Sequence, residues 1–179
     1  MTALLIATPA VGELQPYRHY DHWNVARNTN DCALYGEFDN NSSLMITYDD
    51  RTNEVAVAFS DPSVKALKGG ESRKLNTYFA NRGVSGSLDE GWGEKDFKTF
   101  EVDGRIHFTR KMSAEFLVDV ARYDMLAFFY GDVLLKSFSL KGSGQAVAGL
   151  RACAAEQSRK NPTDPFAGEE DTKPSLPRA

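Results

Sequence analysis

Residues 43–61 read "SLMITYDDRTNEVAVAFSD", and this stretch decides the fold class. Leu44, Ile46 and Tyr48 recur at every second position, so an extended backbone places them on one face. Asp49, Asp50, Arg51, Thr52 and Asn53 then interrupt the pattern with polar side chains, several of them short enough to bond back to their own backbone. Val55, Val57 and Phe59 restart the same period. Two half-buried strands joined by a polar turn make an antiparallel hairpin. A turn accounts for the aspartates better than a metal loop does.

The same period extends outward in both directions. In "DCALYGEF" (31–38), Cys32, Leu34 and Phe38 point one way, and in "SRKLNTYFA" (72–80) Leu75, Thr77 and Phe79 alternate. "FKTFEVDGRIHFTR" (97–110) is a second hairpin, turning at Asp103-Gly104, and "MLAFFYGDVLLKSFSL" (125–140) is a third, turning at Gly131-Asp132. Two segments change to helical spacing. One runs from Ser113 with Phe116, Leu117, Val120 and Ala121 on a stripe; the other starts at Ser143 with Ala146, Val147, Leu150, Cys153, Ala154 and Gln157 on one face. "SDPSVKAL" (60–67), with Asp61 as cap and Pro62 behind it, predicts one or two further helical turns. Residues 81–96, rich in Gly, Ser and acid, read as a long loop. The expected architecture is a single α+β domain over residues 17–160. It has a mainly antiparallel sheet, curled into a sandwich or open barrel and closed by the C-terminal helix.

Both ends differ from the middle. Residues 1–16 begin "MTALLIATPAVGE", a short apolar run followed by small residues, which resembles the tail of a signal peptide cleaved after Ala10. A positive leading region is missing, so a flexible N-terminus or a short strand is the alternative. Residues 161–179, "NPTDPFAGEEDTKPSLPRA", hold four prolines and an acidic cluster with Phe166 and Leu176 as the sizeable apolar groups. Such a segment is expected to be a disordered tail, since it buries too little to offset its ordering entropy. Cys32 and Cys153 each lie on the inward side of their own element. In an exported chain, periplasmic or secreted, they are expected to form a structural disulfide; in a cytoplasmic chain they would be two buried thiols.

Composition narrows the function classes. The 179-residue chain carries a formal net charge of −4, which argues against a general nucleic-acid surface. No stretch is long enough to span a bilayer as a helix. "GSGQAVAG" (142–149) lacks the Lys-Ser/Thr pair or further glycines of a phosphate cradle, so Gly142 turns the chain, Ser143 caps the helix, and Gly144 with Ala146 permits close helix-to-sheet contact. His19, Asp21 and His22 are close in sequence, but His107 shares its strand face with Arg105, where a cation would be repelled, so no metal site is expected. "GVSGS" misses the Gly-x-Ser-x-Gly elbow. No catalytic residue and no cofactor is assigned.

Two features remain as candidates for recognition. "KALKGGESRK" (65–74) gathers Lys65, Lys68, Arg73 and Lys74 around Gly-Gly, which is a solvated loop or a surface for an anionic partner. Trp92, between glycines in "EGWGE", is either a recognition tip or a cover folded over the end of the sheet, the second being favoured.

"HWNVARNTNDCAL" (22–34), a Trp strand before a cysteine strand, and "FSLKGSGQAVAGL" (138–150) resemble the invasion-associated locus B family of small exported proteobacterial domains. In that family a similar Ser-Leu-Lys-Gly phrase closes the sheet and opens the last helix. This chain departs from it in placing its second cysteine within the final helix. The resemblance implies an exported β-domain without a known catalytic apparatus, and it supplies no site residues. The functional expectation is a non-enzymatic binding or accessory protein acting through surface loops on another protein or an envelope component. A small-molecule or lipid carrier using the interior of the sheet is the alternative, and a hydrolase with a dispersed site is third.

Overall fold

A computed structural model of the protein describes residues 14–28, 31–81 and 90–160. The expected signal-peptide remnant and acidic tail therefore lie almost wholly outside the described residues. Among these, ten strands form one hydrogen-bonded sheet, antiparallel throughout. The first five, β1 (Gln15–Tyr20), β2 (Trp23–Arg27), β3 (Cys32–Phe38), β4 (Ser42–Asp49) and β5 (Glu54–Ser60), follow one another as a meander. The next three are β6 (Ser72–Ala80), β7 (Glu90–Val102) and β8 (Arg105–Met112). They enter in reverse, so that β8 pairs with β5, and β6 pairs with β9 (Met125–Tyr130). β10 (Val133–Ser139) completes the order, which leaves β1 and β10 as the two edges of an open sheet. Helix α1 (Glu115–Arg122) links β8 to β9, and helix α2 (Ser143–Lys160) packs on β1 to β4.

The hairpins form where period and turn chemistry agree. Leu44, Ile46 and Tyr48 are buried opposite Phe59, Val57 and Val55. Asp103 and Gly104 both adopt positive φ, 50° and 72°, the geometry that a two-residue turn between twisted strands requires. Inside the curled sheet the space is filled by aromatic rings. Phe59 stacks on Phe128 at 4.0 Å and on Phe108 at 4.9 Å, with Phe97 and Phe138 set edge-on to it. All five rings are at most 1% exposed.

The α2 end of the sheet is cross-tied. Cys32 and Cys153 form a disulfide across 121 residues, with Cα atoms 6.1 Å apart. Trp23 is fully buried and its indole Nε1 donates to the Lys141 carbonyl at 3.0 Å, fixing β2 to the junction of β10 and α2. Glu156 accepts from Tyr17 at 2.7 Å and from Arg27 at 2.6 Å, while Gln157 donates to the Asn28 carbonyl at 2.8 Å. Gly149 faces Tyr20 so closely that a Cβ there would overlap the ring, which is why a glycine is kept within this helix.

Several local expectations are corrected. Residues 61–67 hold a turn at Pro62-Ser63 and irregular chain rather than helix: Asp61 Oδ1 accepts from the Ser63 amide at 2.8 Å, and Gly69-Gly70 follows too soon for a helix to propagate. The long loop expected over 81–96 ends by Glu90, where β7 begins; residues 82–89 lie outside the described set. Ser143 is a buried tie, its Oγ donating to the Val120 carbonyl of α1 at 2.5 Å rather than capping amides of its own helix. Gly144 likewise makes its close approach to α1, at the Ala121 carbonyl, and Ala121 itself is exposed. His19 belongs to β1, which Tyr17 and Tyr20 hold against the core.

Candidate functional site

The reversed order of β6 to β8 has a direct consequence. To travel from β5 to β6, residues 61–71 must cross the ends of β8 and β7. Thr99, buried in β7, pins the crossing: its Oγ1 donates to the Lys68 carbonyl at 2.7 Å and accepts from the Glu71 amide at 3.0 Å. The Gly70 amide adds a bond to the Thr99 carbonyl at 2.7 Å. At the start of the crossing, Asp61 pairs with Lys136 of β10 at 3.0 Å. Burial alone would raise this carboxyl, but the Ser63 bonds and the Lys136 ammonium outweigh it and hold it below the ordinary aspartate range.

Between this crossing and the β9–β10 hairpin lies a groove of about 340 Å³. Val64 and Leu67 of the crossing form one wall; Leu75, Phe108, Tyr130 and Leu135 form the floor and the other wall, with Arg73 at the rim. Apolar side chains continue outside it. Tyr130 is 53% exposed, Val133 63% and Leu134 51%. They sit at the tip of the hairpin whose second strand is one of the sheet's two edges. A β-bulge between Leu134 and Lys136 breaks the register with β9 and turns Leu135 into the groove wall.

The basic cluster expected from sequence is divided by this geometry. Lys65 and Lys68 are exposed on the crossing and have no ion pair among the described residues. Arg73 lies on the inward parity of β6 with Leu75 and pairs with Glu71, whereas Lys74 takes the outer parity and pairs with Glu94 at 3.4 Å. Trp92 makes its contacts elsewhere. Thr77 pairs with Gly93 and Tyr78 with Gly91, so Trp92 is the extra residue of a bulge. The bulge aims the indole onto α1, where Nε1 donates to Asp119 at 2.8 Å and the ring meets Phe116 edge-on at 5.3 Å.

The histidines are separated by their own contacts. His19 bonds to Asn24 at 2.9 Å, and His22 lies 3.4 Å from Asp21. His107 stacks on Phe100, with burial and then Arg105 lowering its pKa. Among the described residues no three His, Cys, Asp or Glu side chains gather as a metal set. At the start of α2, the Asp21 carboxylate lies beside Gly142, where it would repel an anion. No described helix is long and apolar enough to cross a membrane.

Thr99 and the exposed tip of the β9–β10 hairpin were missed by sequence reasoning. The signals were present: a threonine on the inward parity next to Phe97, and the run Val133-Leu134-Leu135, which breaks period two and so puts apolar side chains on both faces.

No protein-family model matches the chain, and no curated protein matches it in sequence. Among solved structures, the crystal structure of invasion associated protein B from Bartonella henselae is similar to it, with a TM-score of 0.51 and 13% sequence identity. The alignment covers 75% of this chain and 95% of that one. The likeness is one of fold, and it agrees with the resemblance carried by residues 22–34 and 138–150. Those two pieces meet in space where Trp23 bonds to Lys141.

Proposed function

We infer that the chain is an exported accessory protein without a catalytic step of its own, acting by docking on another protein of the cell envelope. The observation that carries this reading is the exposed apolar tip of the β9–β10 hairpin, continuous with the groove beneath the 61–71 crossing. Large apolar side chains left in water at a sheet edge invite a partner, and soluble chains ordinarily keep such edges short or charged. The disulfide supports a periplasmic or secreted location, because such bonds persist in oxidising compartments. Lys65 and Lys68 belong to the proposed surface. Trp92, already bonded to Asp119, serves to hold β7 on α1.

Two other readings fare less well. A carrier using the interior would need a cavity where the five phenylalanines are packed. A hydrolase of the serine or cysteine type would need its nucleophile bonded to a histidine, whereas His19, His22 and His107 meet Asn24, Asp21 and Phe100. A photo-reactive amino acid placed at Val133, with Val118 on the exposed face of α1 as the control site, tests the docking reading in intact cells. One discrete adduct at position 133 and none at 118 is the expected outcome; equal labelling from both sites, or from neither, would remove the reading.

A further inference from the structure

We propose that the groove receives a segment of an acidic partner protein, inserting one aliphatic or aromatic side chain beside Leu135 and setting a carboxylate on Lys65 or Lys68. This rests on the docking reading above and adds the chemistry of the partner. The first argument is an inventory of charge. Around the groove two cations already have an acid: Lys136 has Asp61 and Arg73 has Glu71. Lys65 and Lys68, on either side of the wall residue Leu67, have none among the described residues. Neither lysine lines the groove itself, Lys65 lining the adjoining depression with Glu101 and Arg105, but both stand on the segment that forms its wall, and unpaired ammonium groups there complement an anchor with carboxylates next to it.

The second argument is extent. A volume of about 340 Å³ is at the small end for ligand pockets, enough for an anchoring side chain. A free small molecule filling it would leave Val133 and Leu134 in water. A polypeptide that continues past its anchor covers them and places charge on the crossing at the same time. A second copy of this chain complements the surface poorly. It brings the same two lysines, and of its own acids here Asp61 and Glu71 are committed to Lys136 and Arg73, which leaves Glu101 beside Gly69 and Asp132 in the hairpin turn.

The test uses the oxidised full chain and a phage-displayed library of random dodecapeptides, with phosphatidylglycerol vesicles as a parallel probe. Selected peptides are expected to carry a large apolar residue next to Asp or Glu. Their affinity should fall at least tenfold in the K65E/K68E double variant and in L134D, and stay unchanged in V118D, with all three variants melting like the parent. If L134D weakens binding but K65E/K68E does not, the surface docks protein and the acidic partner is overturned. If neither variant matters, or no peptide is enriched, both readings fall. Vesicle binding lost in the same variants without any peptide selected assigns the surface to lipid. A stable dimer abolished by L134D assigns it to a second copy. Either result overturns the proposal.

Discussion

Around Cys32 and Cys153 every element is tied down more than once, while around Leu134 apolar side chains stand in water beside an open groove. At the first end, α2 is held to β1, β2 and β3 by a covalent bond, two bonds to Glu156 and one from Gln157. At the second, the crossing is held by Thr99 and by one ion pair, and the hairpin tip extends past both. The contrast separates two tasks. Stability is concentrated where the chain closes on itself, so the far end is free to present surface that contributes little to folding.

Removing the staple should have the largest effect. In the chain-entropy account, a bridge across so long a loop contributes about 5 kcal/mol. Replacing both Cys32 and Cys153 with serine should lower the melting temperature by roughly 10–20 °C. Reductant should do the same to the parent, followed by circular dichroism. An unchanged melt would break the comparison at its stronger end.

Asp61→Asn comes next, because it leaves the Lys136 ammonium without its acid in a site where both side chains are largely covered. A loss of about 2 kcal/mol at neutral pH is expected. The sign of its pH dependence follows from the lowered pKa of Asp61. The folded carboxyl titrates below the unfolded one, so its contribution is complete above about pH 4 and is lost as the pH falls through the folded value. The gap between parent and variant, measured by urea denaturation, should therefore narrow in that acid window and stay constant from pH 5 to 8.

Thr99→Val keeps the shape and removes the hydroxyl that serves both Lys68 and Glu71. About 1 kcal/mol should be lost globally. Faster hydrogen exchange confined to residues 68–71 would mark the crossing as the part released. The smallest effect is expected from Leu134→Ser, within about 0.5 kcal/mol of the parent, since the side chain is half in water already. A large loss of stability there would show that the tip is structural and remove the contrast altogether.

What the sequence made legible was local or covalent. Hairpins at 43–61, 97–110 and 125–140 declared themselves because alternation and turn residues agree. The disulfide was readable because Cys32 and Cys153 both fell on the inward side of their own elements. The pairing of β5 with β8 rather than β6 was not, since nothing in either strand's own pattern names a partner so far along the chain. The groove was hidden for the same reason, being assembled from a crossing, a hairpin tip and two inner strands. Trp92 failed to read as strand because glycines on both sides erase the alternation, and a bulge needs that freedom: Gly93 has a φ of 66°.

Because Val55 of β5 finds its partner in Met112, the ribosome finishes the first half of this sheet well before the strand that covers it exists. During that interval Val55, Ala56, Val57, Ala58 and Phe59 present an uncovered ladder of high β-propensity, the kind of segment that adheres to its copies. Folding is thus expected to be limited by the long-range docking of β8 on β5.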